Sequence, residues 1–148
     1  MRLVVDTNIF ISALLSPEST IADLIINKIQ PGSLFAPHFL FDEVLNKQLK
    51  ITNISGYSQK EFHDLMYLFI KRIELLDSEH ITDENWGKAQ NLLKDIDPWD
   101  IEFVALSLQT GYPIWTGDKK LVKGLKAKGF RNCILTKDLA TKIRQLTK

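Results

Sequence analysis

The sequence is poor in cysteine, with Cys133 the single example among 148 residues. A disulfide within the chain and a cysteine-rich zinc site are therefore excluded, and Cys133 is predicted to be a small core residue. Long apolar runs are also missing, since the stretch from Ile9 to Leu15 is too short to span a bilayer. Asp6 falls where a secretory signal would need its apolar segment, so we expect a cytoplasmic protein without a membrane span.

The signatures of several enzyme classes are absent as well. The chain has no glycine-rich Walker loop, no nucleophile elbow and no dinucleotide-binding fingerprint. These absences argue against a nucleotide hydrolase, an esterase and a dehydrogenase. The length and a hydrophobic content of 45% predict one globular domain over residues 1–148.

The net charge of +1 hides an uneven distribution of charge. Residues 1–118 contain 9 Lys or Arg against 17 Asp or Glu, whereas residues 119–148 contain 10 against 1. One interpretation is that the last helices have solvated basic faces. The other is a phosphate-binding surface beside an acidic site, formed by basic residues that include Lys119, Lys120 and Lys123.

Strand and helix signals alternate along the chain. Apolar runs predict strands near residues 3–5, 34–36, 75–76, 114–116 and 133–135. Helical periodicity between them predicts, among others, helices over residues 20–29 and 38–50 and a last helix capped by Thr136. This alternation predicts an α/β protein, a three-layer α/β/α fold with a central, mainly parallel sheet. Ligands of such sheets bind beyond the carboxyl ends of the strands, where Asp6 and Asp118 are expected to lie.

Taken one at a time, the acidic residues have ordinary structural explanations. Asp6, Asp97 and Asp118 occupy positions where helix N-caps belong. Asp100 differs, because it lies one helical turn before apolar residues that should be buried. Glu43 shares a helix face with apolar residues too, but its neighbour Asp42 does so equally, so spacing leaves both as alternatives.

Carboxylates gathered in one crevice repel each other, and such a cluster is stable when it is protonated or holds a cation. Oxygen-only ligands favour a hard ion, Mg²⁺ or Mn²⁺, over zinc. One such ion can activate water as a nucleophile, and a second can stabilise the leaving oxygen of a phosphodiester. The acidic pattern therefore indicates nuclease chemistry, with the number of ions open.

Three segments together resemble the PIN-domain family over nearly the whole chain. They are residues 4–10 (VVDTNIF), residues 97–100 (DPWD) followed by 103–106 (FVAL), and residues 116–121 (TGDKKL). Within this pattern Glu43 matches the helical glutamate of the family and is preferred to Asp42. Asp100 matches the third acid, and Asp97 is an additional acid that is a ligand, a cap or both. Asn8 and Thr116 match polar positions that support the acids.

The resemblance implies a Mg²⁺- or Mn²⁺-dependent endoribonuclease with Asp6, Glu43, Asp100 and Asp118 as catalytic and metal-binding residues. It is similar to the toxins of prokaryotic VapC-type toxin–antitoxin systems. By the same analogy the protein is a homodimer that binds RNA and is inhibited by an antitoxin protein. Cleavage of DNA stays open.

Two other classes of protein were weighed against a nuclease. A receiver-type phospho-acceptor domain is also α/β and binds Mg²⁺, but it needs adjacent acids after its first strand, and Asp6 has no acidic neighbour. A non-catalytic RNA-binding protein with a PIN fold is the other alternative. The complete acidic set argues against it, because these mutually repelling residues are costly to retain without a function.

Overall fold

The computed structural model describes residues 1–96 and 101–147 of the chain. Five strands form in these residues, namely β1 (Leu3–Val5), β2 (Leu34–Pro37), β3 (Glu74–Leu76), β4 (Ile114–Trp115) and β5 (Cys133–Ile134). Their pairings are all parallel, in the order β3-β2-β1-β4-β5. The three residues of β1 are apolar and completely buried, as a strand covered on both faces requires.

Helices connect and cover these strands. In the described residues they are α1 (Thr7–Leu15), α2 (Thr20–Asp23), α3 (Phe39–Asn46), α4 (Gln48–Ser55), α5 (Gln59–Ile70), α6 (Asp83–Leu93), α7 (Ile101–Thr110), α8 (Lys119–Ala127) and α9 (Thr136–Leu146). A π-helical turn, Leu24–Lys28, and a 3₁₀ turn, Ser78–His80, complete the set. Helix α7 packs on β1, β2 and β4, whereas α1 packs against α2 to α5. The three-layer α/β/α fold confirms the predicted fold class.

The strand order places a crevice at the centre of the sheet. From β1 the chain adds β2 and β3 on one side, and β4 and β5 lie on the other. Connections that leave neighbouring strands in opposite directions open a crevice beyond their carboxyl ends. Val5 pairs with Trp115 in the β1–β4 ladder, so the next residues, Asp6 and Thr116, leave the sheet side by side. The position expected for a ligand site is thus occupied by Asp6.

Helix α5 shows how local sequence signals set the helix ends. The Ser58 hydroxyl accepts a hydrogen bond from the Glu61 amide at 3.1 Å, and Glu61 Oε1 accepts one from the Ser58 amide at 3.0 Å. This capping box satisfies amides that the first helical turn leaves unpaired. The helix then buries Phe62, Met66 and Phe69 on one face. The spacing of apolar residues therefore fixes which side of α5 meets the core.

The helix predicted over residues 38–50 is wrong in one respect, because the structure divides it at Lys47. Helix α3 ends at Asn46 and α4 begins at Gln48, and the Lys47 amide donates to the carbonyls of Glu43 and Val44 at 3.1 Å each. Apolar periodicity could not reveal this break. Val44 and Ile51 lie seven residues apart and would share a face in an uninterrupted helix as well.

Two other local predictions need correction. The helix predicted over residues 20–29 widens into a π-helical turn, where the Ile29 amide donates to the Leu24 carbonyl at 2.8 Å, five residues back. Thr136 is the first residue of α9 and not its cap. Its hydroxyl accepts a hydrogen bond from the Trp115 indole at 3.0 Å, and this tertiary contact outweighs capping. Cys133, predicted to be a core residue, packs against the core but is only partly buried.

None of the described helices is by itself both long and apolar enough to cross a membrane. Thr7–Leu15 and Thr20–Lys28 reach that length and composition only as a pair, and the pair is bent by 107°.

Candidate active site

Asp6 is the most deeply buried acid of the described chain, with 4% of its surface exposed. Its amide donates to the Trp115 carbonyl at 3.0 Å, which ties it to the end of β4. Its Oδ2 accepts a hydrogen bond from the Thr116 hydroxyl at 2.8 Å. Asp6 also precedes α1, but it makes no well-formed capping bond there. The side chain is therefore held toward the crevice by Thr116 more than by the helix.

Four neighbours and burial together set the protonation of Asp6. Burial raises the pKa of its carboxyl above the ordinary value, and the hydrogen bond from Thr116 and the backbone of Asn8 lower it in part. The negative charges of Glu43 and Asp118 raise the pKa further. Since charges act over short range in a protein, this effect shows that three carboxylates share one neighbourhood. Asp6, Glu43 and Asp118 are thus brought together from β1, α3 and the start of α8.

Thr116 links two of these acids. It is completely buried, and its hydroxyl both donates to Asp6 and accepts from the Asp118 amide at 3.1 Å. Asp118 in turn caps α8, because its Oδ1 accepts from the Leu121 amide at 3.0 Å. Both interpretations of Asp118 are therefore compatible, since one oxygen caps the helix and Oδ2 receives no hydrogen bond from the described residues.

Glu43 is positioned by a residue that the sequence analysis missed. The hydroxyl of Thr7, which is 3% exposed at the start of α1, donates to Glu43 Oε1 at 2.7 Å. Asp42 is exposed on α3, so the fold distinguishes two acids that spacing alone could not. Thr7 gave no periodic signal, because its role depends on α1 and α3 meeting across 36 residues of sequence. Its position beside Asp6 was the one available hint.

The other expected site residues are placed less directly. The side chain of Asn8 is exposed, and its effect on Asp6 comes from its backbone. Lys119, Lys120 and Lys123 are exposed on the first two turns of α8. Asp97 and Asp100, together with the cap predicted at Asp97-Pro98, lie outside the described residues.

The charge and the donor atoms of this site fit a hard divalent cation. No lysine or arginine of the described chain pairs with Asp6, Glu43 or Asp118, so their negative charge is not neutralised there. Their donors are carboxylate oxygens, which Mg²⁺ and Mn²⁺ prefer. Within residues 1–96 and 101–147, however, no three acidic, histidine or cysteine side chains meet closely enough to hold an ion on their own. A bound cation would need further ligands.

An all-parallel sheet with carboxylates gathered at its central crevice defines a class of α/β protein with an acidic site. The family model described as "PIN domain" matches residues 4–138. The chain therefore belongs to the PIN-domain family, as the three sequence segments predicted. PIN domains are generally nucleases that act on nucleic acid and use divalent metals. A search of the curated proteins returned no match.

Proposed function

We propose that this protein is a metal-dependent endoribonuclease that hydrolyses RNA phosphodiester bonds at Asp6, Glu43, Asp100 and Asp118. One observation carries the proposal. Asp6 is buried at the carboxyl edge of the sheet, and the charges of Glu43 and Asp118 raise its pKa. Burying like charges together is costly, and a site that accepts this cost is a candidate for cation binding and catalysis.

The ion we propose is Mg²⁺ or Mn²⁺, held by Asp6, Glu43 and Asp118 together with Asp100 and Asp97. The first three supply oxygen donors from the described chain, and the last two follow from the family resemblance. When bound, the cation would polarise the scissile phosphate and lower the pKa of a water molecule. Asp97→Asn should reduce cleavage less than Asp100→Asn, since Asn also caps helices well. Equal inactivation would assign Asp97 as a full ligand.

The hydrogen bonds around the site prepare its acids for this role. Thr116 occupies Oδ2 of Asp6, and Thr7 occupies Oε1 of Glu43, so each acid has one oxygen fixed by a buried hydroxyl. Helix capping fixes Oδ1 of Asp118 in the same way. Ligands fixed by such contacts lose little freedom when a cation or a phosphate binds.

The basic surface of α8 is proposed to hold the RNA backbone. Lys119 and Lys120 directly follow Asp118, and Lys123 lies one turn further along the same helix. Their side chains form no ion pair with the described carboxylates, which leaves them available for phosphates. A polyanion is repelled by an acidic crevice, so a neighbouring basic surface is needed to hold the strand.

A biological role as a VapC-type toxin, a homodimeric state and inhibition by an antitoxin protein are proposed from the sequence resemblance alone. Light scattering of the purified chain tests the dimer, for which we expect twice the monomer mass. Growth arrest on induced expression, abolished by Asp118→Asn, tests the toxic activity. Normal growth with a catalytically active protein would contradict it.

The nuclease proposal is tested by incubating the protein with mixed RNA and DNA substrates in Mn²⁺, Mg²⁺ or chelator. We expect RNA cleavage with either metal and none in chelator. Glu43→Gln should abolish cleavage, whereas Asp42→Asn, which alters the exposed neighbour on the same helix, should not. RNA binding without cleavage in any metal would favour the non-catalytic alternative, and cleavage that persists in chelator would contradict the metal site.

A further inference from the structure

Helix α8 contains a glycine, Gly124, in its interior. Glycine at such a position costs about 0.5 to 1 kcal/mol relative to alanine, because it loses more backbone freedom on folding. A second helical glycine, Gly87 in α6, offers a comparison. A Cβ added at Gly87 would meet nothing within 4 Å, so no neighbour requires glycine there. Gly124 is different.

The space beside Gly124 is taken by Ile96. A Cβ at position 124 would lie 2.8 Å from Ile96 Cδ1, 3.1 Å from Cγ1 and 3.5 Å from Cγ2. The first distance is shorter than a carbon–carbon contact allows, so a side chain at 124 would displace Ile96. Ile96 has little freedom to move, because it is β-branched and packs against the core. Its amide also donates to the Leu93 carbonyl at 3.0 Å.

The two partners of this contact belong to chain segments that carry acids. Helix α8 begins directly after its cap Asp118, and Gly124 follows six residues later, about 9 Å along the axis at 1.5 Å per residue. Ile96 is covalently joined to Asp97 and precedes Asp100 by four residues. A rigid helix thus connects Asp118 to the residue that leads into the acidic segment 97–100.

We propose that Gly124 is a positioning residue, whose missing side chain lets Ile96 pack into α8 and thereby sets the acidic segment 97–100 at its working distance from Asp118. This inference rests on the proposed metal-dependent nuclease function. Neither Gly124 nor Ile96 touches substrate or metal in this account. Their contact acts through the carboxylates on either side of it.

Gly124→Ala adds one methyl group and should push Ile96, with the adjoining acids, away from Asp118. Loss of outer contacts around metal ligands typically weakens metal binding by roughly 10- to 100-fold, and we expect an effect in that range. The double variant Gly124→Ala/Ile96→Val removes Cδ1, the closest atom, and should recover most of the lost affinity. Gly87→Ala is the matched control and should bind metal as the wild type does.

The first measurement needs no RNA. Thermal unfolding is followed while Mn²⁺ is titrated into chelator-treated protein, since a ligand that binds the folded state raises the unfolding temperature in proportion to its affinity. The second measurement is the rate of RNA cleavage as a function of Mn²⁺ concentration. Gly124→Ala should need at least about tenfold more Mn²⁺ in both, and a general loss of stability would not shift these midpoints.

If Gly124→Ala does not fold in chelator, Ile96→Ala tests the same contact from the other side without adding atoms, and it should also raise the Mn²⁺ midpoints. Wild-type midpoints in the folded Gly124→Ala protein, or in Ile96→Ala, would overturn the positioning role. So would failure of Ile96→Val to rescue Gly124→Ala. If the wild type itself neither cleaves RNA nor gains stability from Mn²⁺, the proposed function fails instead. The two failures are thus distinguishable.

Discussion

Replacement of Thr116 by valine removes the one hydroxyl that serves two site residues. Valine has nearly the shape of threonine, so the change leaves the Asp6 Oδ2 atom and the Asp118 amide without partners at a position that is completely buried. A buried group left unpaired costs about 1 to 3 kcal/mol, and hydrogen bonds to charged groups lie at the upper end. Because valine buries one more methyl group, worth about 0.8 kcal/mol, the expected net loss of stability is about 2 to 4 kcal/mol.

The assay is urea and thermal unfolding in chelator, with Thr116→Ser as the control that keeps the hydroxyl. For a chain of 148 residues, the loss corresponds to a decrease of about 4 to 16 °C in the unfolding temperature of the valine variant. Serine loses only a buried methyl group, about 1 kcal/mol. Equal losses for valine and serine would refute the role assigned to the hydroxyl.

The pH dependence of the Thr116→Val effect provides an independent check. The hydrogen bond from Thr116 lowers the pKa of Asp6, so its removal raises that pKa further. The deficit of the valine variant is therefore complete above its own Asp6 pKa. It should shrink as the pH falls through that value, because protonation of Asp6 removes the unpaired charge. A deficit that grows on acidification would contradict the assigned hydrogen bond.

Three further predictions follow from the same site. Asp6→Asn should raise the stability at pH 7 in chelator, since the raised pKa of Asp6 marks a charge that destabilises the folded state; the gain should vanish below about pH 4, near the ordinary pKa of 3.8, and an unchanged or lower stability at pH 7 would contradict it. Replacing Lys119 and Lys120 by Gln, on an Asp118→Asn background, should flatten the salt dependence of log affinity for single-stranded RNA by roughly 0.7 per lost phosphate contact, and an identical slope would assign these lysines to a solvated helix face. Burial, with a smaller effect from the charge of Asp6, raises the pKa of Cys133 to about 11. Iodoacetamide should thus modify Cys133 at pH 8 far more slowly in the folded chain than in urea, and equal rates would show that the thiol is not shielded.

The fold was largely predictable from local patterns. Each predicted strand corresponds to an observed one, because buried parallel strands need short apolar runs and leave few alternatives. Helix interruptions were not predictable. The break at Lys47 and the π-helical turn after Asp23 preserve the apolar face of the helix, so periodicity carries no trace of them.

The candidate site was predictable only as far as chain order determines position. Asp6 and Asp118 follow strands directly, and the carboxyl edge of a parallel sheet brings such residues together. Glu43 could be separated from Asp42 by family resemblance, whereas its bond with Thr7 depends on how α1 and α3 meet. Contacts between distant segments are set by tertiary packing, which a single sequence does not encode in its periodicity.

The most direct test of the proposed chemistry is the identity of the ends that cleavage produces. If water attacks phosphorus at a carboxylate-held cation, the ribose 2′-hydroxyl takes no part in the reaction. End-labelled RNA cut in Mn²⁺ should then give products with a 5′-phosphate and a 3′-hydroxyl. A single 2′-deoxy substitution at the scissile nucleotide should leave cleavage intact. Products that end in a 2′,3′-cyclic phosphate, with no cleavage of the deoxy-substituted strand, would contradict hydrolysis at Asp6, Glu43 and Asp118.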